Sequence, residues 1–253
     1  MSDAGDRQAT FWEHLDELRS CIIRSLSAIA LFAVVAFMLK NELFSIVLAP
    51  RSSSFVTYRL MDVEPFRLHL MNTGLTEQFM AHMRVAIYAG LLCASPYVLY
   101  ELFRFISPGL YHNERQAAMK IVGSSYLMFI LGTLTCYFII FPLTVRFLGQ
   151  YQVSPDVENM LTLQSYIDTF ISMSLVMGVV FELPIVCTVL GRMGLINSGL
   201  MARYRRHAIV AILVVAAIIT PTTDAFTLLV VALPIWLLYE VSILLVNSKK
   251  QKQ

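Results

Sequence analysis

The sequence predicts an all-α, polytopic membrane protein. Three observations carry that expectation: six long apolar segments, a composition poor in charge, and basic residues gathered in alternate connections. The segments are 22–39, 85–100, 121–141, 167–190, 208–219 and 226–246. A bilayer core of about 30 Å is crossed by about 20 apolar residues in a helix. In lipid each backbone amide must bond within its own segment, which selects helices over loops or open strands. Apolar residues form 57% of the chain and charged ones 14%, against about 25% charged in a globular protein. The net charge of +2 supplies no basic surface for nucleic acid. The six segments and their connections leave no separate soluble domain in the 253 residues, so the chain reads as a single membrane domain, 1–253, whose one long outer connection is a cap loop, 40–84. No internal repeat or low-complexity tract interrupts this plan.

Orientation follows from lysine and arginine. With the N-terminus inside, thirteen of the 19 basic residues fall on the cytoplasmic side and six outside, as the positive-inside rule requires. The contrast is sharpest at Arg203, Arg205 and Arg206, which precede a hairpin turn without a basic residue. Six spans return the C-terminus to the same side. The start of the chain carries Asp3, Asp6, Glu13, Asp16 and Glu17, unlike the basic n-region of a cleaved signal, so the first helix is expected to stay.

Taken in order, the first helix opens at Thr10-x-x-Glu13, the pattern of a capping box. Phe11, Leu15, Leu18, Ile22 and Leu26 form its apolar stripe, with Glu13, Glu17 and Arg24 opposite. Glu17 has two readings: a solvated face with a Glu–Arg pair, or a working acid at the membrane surface. After the second segment, Pro108-Gly109 forces a turn, and Phe105 and Tyr111 suit the headgroup level. Glu114 then faces the same compartment as Glu17. Two carboxylates from separate segments can accept a pair of guanidinium groups, although a solvated loop acid beside Arg115 fits as well. In the third segment Gly123-Ser124-Ser125 reads as close-packing positions. In the fourth, Glu182 lies about 13 Å from the inner end near Gly191 at about 1.5 Å per residue. It either supports the break at Pro184 or serves a function at the midplane. Segment 208–219 spans only about 18 Å of helix, and Glu240 interrupts the sixth after Tyr239. These two are expected to be short and to face thinned lipid or partner helices.

Several function classes lack their marks. Cys21, Cys93, Cys136 and Cys187 have no C-x-x-C spacing and read as small hydrophobes packed between helices. His14, His69, His82, His112 and His207 have no ligand spacing, and no nucleotide or hydrolase motif occurs. No enzyme activity, metal or cofactor is expected. The rival reading is a secondary transporter of a small solute or ion using Glu182 at the midplane. Such folds usually carry paired broken helices, which this chain lacks.

Three stretches together resemble the TatC family, the large polytopic subunit of the twin-arginine (Sec-independent) protein translocase. They are His14-Leu15-Asp16-Glu17-Leu18-Arg19, then Phe105-Ile106-Ser107-Pro108-Gly109-Leu110-Tyr111 through Glu114-Arg115, and Phe181-Glu182-Leu183-Pro184. Pro50, Ser95-Pro96 and Thr220-Pro221 with Asp224 extend the likeness along the chain. The resemblance implies a glove-like bundle in the bacterial cytoplasmic membrane. It implies a receptor for twin-arginine signal peptides that exports folded proteins on the proton-motive force. It implies small single-span partners of the TatA/TatB type, and self-association in a larger complex. By motif, Glu17 and Glu114 would hold the arginine pair, with Arg19 and Phe105 shaping the site. Glu182 would receive a polar group from a partner helix, and Pro50, Pro108 and Asp224 would have structural or mechanistic roles. Two residues after Arg19, where the family often has a second basic residue, this chain has Cys21.

Overall fold

The apolar runs are helical and extend into flanking polar residues, which continue the same backbone hydrogen-bond ladder where it leaves the lipid. The computed structural model describes residues 11–62, 66, 68–106, 115–151, 154, 160–220 and 224–248. Helix α1 is Phe11–Met38, followed by α2 (Lys40–Val47) and α3 (Val56–Leu60), and α4 is Glu77–Ile106. Helix α5 (Arg115–Thr135) passes through a π-helical turn, Cys136–Ile140, into α6 (Phe141–Gln150). Helices α7 (Leu163–Val180) and α8 (Leu183–Arg192) form one broken span. The short α9 (Ser198–Arg203) leads to α10 (Arg205–Ile219) and α11 (Ala225–Ser248). Five of these units are long and apolar enough to cross a membrane.

Antiparallel α1 and α4 form the most extensive pairing. A Cβ added at Gly90 would stand 2.6 Å from the Ala33 amide nitrogen, so only glycine lets these backbones approach so closely. Leu15, Ile22 and Leu26 are exposed while Cys21 is buried. The apolar stripe of α1 therefore faces outward toward lipid, and the Glu17–Cys21–Arg24 face lies against α4. Water would favour the reverse arrangement; in lipid the polar face is the one that needs protein neighbours. Gly132 and Gly178 do the same for α5 and α7, where added Cβ atoms would strike Met177 and Phe129. Tyr88, Phe141, Tyr166 and Phe170 pack edge to face around the centre.

Prolines set the bends. Pro96 has no N–H for the Leu92 carbonyl, and Ser95 Oγ donates to that oxygen at 2.7 Å. Pro142 likewise withholds an amide from Phe138, whose carbonyl accepts from Thr57 Oγ1 of α3. The expected loop 40–84 is thus built of short helices clipped onto the α5–α6 bend. Tyr58 is buried and its hydroxyl lies 3.0 Å from the Pro50 carbonyl oxygen and 2.8 Å from that of Pro142. Leu70–Met71 pairs in parallel with Leu161–Thr162 and ties this cap to the segment before α7.

Three expectations are corrected. The sixth span does not stop at Glu240: α11 continues through it, because Glu240 Oε2 accepts from Arg205 Nη2 at 2.8 Å. Cys93 is exposed, unlike buried Cys21 and Cys136, so it is not packed between helices of this chain. Gly123 has open space where a side chain would stand, so it is not a close-packing position.

Candidate functional site

The end of the bundle opposite the cap, here called the base, gathers the first group of singled-out residues. Glu17 is half-buried and Arg19 exposed on α1. One turn before Glu17, the His14 ring stacks on Phe105 at 4.3 Å and an interplanar angle of 18°. That contact holds the end of α4 against the turn of α1 that carries Glu17. Phe105 is therefore fixed by an aromatic partner, in addition to any headgroup contact. Thr10, Pro108 and Glu114 lie outside the described residues, as does the Glu13 side chain.

Glu101 is the acid the sequence reading passed over. Its side chain is 3% exposed, and its Oε2 stands 2.9 Å from Arg24 Nη2. Arg104, one turn further toward the base, approaches Oε1 at 3.9 Å. Arg24 thus pairs across to α4 rather than with Glu17 on its own helix. The missed signal was positional: an antiparallel partner brings Arg24 level with the last turns of α4.

A second site lies at the break between α7 and α8. Pro184 removes an amide and the chain turns through Phe181-Glu182. Glu182 Oε2 accepts from Ser125 Oγ, while Oε1 is buried and has no hydrogen-bond partner among the described residues. Ser125, itself buried, was hidden within the Gly123-Ser124-Ser125 stretch. One carboxylate oxygen is satisfied within the chain and the other is not, among the described residues. Glu182 and Glu17 belong to different helices and depths, so they form two sites rather than one.

At the cap end, Pro50 is buried in a short 3₁₀ turn, Ala49–Arg51. Burial pushes the Tyr58 hydroxyl well above its ordinary pKa, offset in part by Arg146, so it stays a neutral donor to the carbonyls around it. Asp224 Oδ1 accepts from the Thr227 amide at 2.7 Å, which makes it the N-terminal cap of α11. No cluster of metal-ligating side chains occurs among the described residues.

The family model for the Sec-independent protein translocase protein (TatC) matches residues 13–234. The chain belongs to the TatC family. A TatC protein of Koribacter versatilis is 36% identical over all of this chain and 92% of its own length. That of Desulforapulum autotrophicum is 34% identical over 94% of this chain and 84% of its own. The crystal structure of a twin-arginine translocase receptor, TatC, in DDM superposes with a TM-score of 0.78. It is 34% identical and covers 92% of this chain and 99% of its own. The TatC-family chain is accordingly a multi-pass membrane component of a Sec-independent protein translocase, with a transport role. Membership in the TatC family does not favour the small-solute transporter reading.

Proposed function

We propose that this TatC-family chain is the receptor for signal peptides bearing consecutive arginines and a core of a folded-protein export complex driven by the proton-motive force. The observation that carries the reading is the base, where Glu17 on α1 stands one turn from the His14–Phe105 stack. An acid on a rigid helix, backed by a fixed aromatic ring, suits a guanidinium group, which combines charge with a flat face. Glu114, on the connection that follows Phe105, supplies the second carboxylate, with Arg19 beside the site and Pro108 turning the connection. Both termini then lie in the cytoplasm and the cap outside, as the basic residues require.

Glu182 is the docking point for the transmembrane helix of a small single-span partner. Its Oε1 lacks a donor among the described residues, and a polar side chain from a neighbouring helix completes it, worth about 1 kcal/mol in lipid. Pro50 stiffens the cap. Copies of the complex associate further in the membrane.

The deciding experiment is equilibrium binding of a fluorescent signal peptide to the detergent-purified protein. Arg-Arg and Lys-Lys forms are compared at two salt concentrations. Lysine keeps the charge but loses the guanidinium fork, so preference for Arg-Arg at both salts is expected. Glu17→Gln and Glu114→Gln should each weaken the Arg-Arg form while the protein stays folded. Equal binding of both peptides, falling together as salt rises, would reduce the base to surface electrostatics. For Glu182, undiminished crosslinking of the partner in Glu182→Ala would leave the residue structural.

A further inference from the structure

We propose that Glu101 is a positioning residue for arginine recognition, acting by holding the chain's own Arg104 away from Glu17. The proposal rests on the reading of Glu17 as an acceptor for the peptide's arginines. A receptor that captures guanidinium groups with carboxylates has an internal problem when its own arginines line the same wall. Here two of them do. Arg24 stands two turns above Glu17 on the face of α1 that meets α4. Arg104 adjoins Phe105, whose ring stacks on His14, one turn below Glu17.

The register of the two helices brings the competitor within reach. Phe105 lies against His14, Glu101 against Arg24, and Gly90 against Ala33. Glu101 and Arg104, one turn apart, share the side of α4 that faces α1. In this scheme an Arg104 side chain released from Glu101 would turn to Glu17 across the helix pair, and a Glu17 so paired is a poorer acceptor for an incoming arginine. Glu101 prevents this. Its carboxylate is 3% exposed and engages Arg24 at 2.9 Å and Arg104 at 3.9 Å on its two oxygens. A carboxylate so enclosed is screened by water far less than one on the surface. It therefore holds its cations more firmly than the half-buried Glu17 can. Glu101 touches no peptide in this scheme; it keeps Glu17 available.

The test uses the full-length protein in detergent, the fluorescent Arg-Arg peptide as probe, and four variants. Glu101→Gln preserves shape and should raise the Kd about tenfold, the loss expected when one charge-assisted acceptor is diverted. Glu101→Gln combined with Arg104→Gln removes the competitor as well and should recover most of that loss. Thermal stability should fall in both the single and the double variant. Recovery of binding without recovery of stability is a signature that a merely structural acid would not give. Arg104→Gln alone should bind as the wild type or slightly tighter. Wild-type binding by Glu101→Gln overturns the inference. So does a double variant as weak as the single one, or a tenfold loss in Arg104→Gln alone. Glu17→Gln separates the two levels of the argument. If it binds like the wild type, the underlying reading has failed and this inference with it. If it binds weakly while Glu101→Gln is unaffected, only this inference has failed.

Discussion

The cap and the base solve opposite problems with the same scarce resource, polar groups in an apolar chain. At the cap, neutral hydroxyls answer backbone carbonyls: Thr57 serves Phe138, which Pro142 has deprived of an amide, and Tyr58 lies on Pro50 and Pro142. At the base the polar groups are acids and arginines, Glu101 with Arg24 and Arg104 beside the half-buried Glu17. Neutral bonds are short in reach and depend little on salt, so they fix a shape. Ionic groups act over a longer range and can exchange partners, which suits recognition. One end of the molecule is built to hold still, and the other is built to be answered by a charged visitor.

Variants that separate rigidity from recognition test this contrast. The largest effect on stability is expected at the α1–α4 contact. Gly90→Val puts side-chain atoms where even a Cβ would stand 2.6 Å from Ala33, and unfolding in detergent should show a loss of about 3 kcal/mol. Full stability in that variant would mean that the helices separate easily and that the base is not rigid. Next comes Tyr58→Phe, which leaves buried carbonyls without their hydroxyl and should cost about 1–2 kcal/mol. Its affinity for the Arg-Arg peptide should be unchanged, and a large change would show that the cap is coupled to the base. Asp224→Ala removes the cap of α11 and should cost about 1 kcal/mol. Asn in its place should recover most of that stability, because Asn offers the same acceptor.

How much of this was legible in the sequence depended on the range of the interactions. Transmembrane helices were readable because apolar length is a local property, and the family motifs were readable because they are contiguous. The cap was read as a loop, since α3 is only five residues long and is held by Tyr58 and Thr57 bonding across some 80 positions to the Pro142 bend. Nothing local announces such a helix. Glu101 was passed over because an acid one turn before an arginine looks like an ordinary helix-surface pair. Only the antiparallel register with α1 reveals that it is buried against Arg24. Ser125 was noticed for its size rather than its hydroxyl, because its partner Glu182 lies 57 residues away. Glu240 misled in the opposite direction: a charge in an apolar run reads as an end, yet Arg205 allows α11 to continue past it.

That last pair supplies the smallest effect and the sharpest control for the ionic base. Arg205–Glu240 has nearly the separation of Arg24–Glu101, 2.8 against 2.9 Å, but its acid is 26% exposed rather than 3%. Distance alone would make the two equivalent. Burial should not, because water and salt reach the first carboxylate and are largely kept from the second. A double-mutant cycle on Arg205 and Glu240 should give a coupling of about 0.5 kcal/mol that shrinks as salt rises. The corresponding cycle on Arg24 and Glu101 should give a larger coupling that varies less with salt. Removing Arg24 leaves the buried Glu101 carboxylate without its main partner, so that single variant should be worse than the double. Equal couplings with equal salt dependence would show that the base is as wet as the ordinary surface. Glu101 would then have no advantage over Glu17 in holding an arginine.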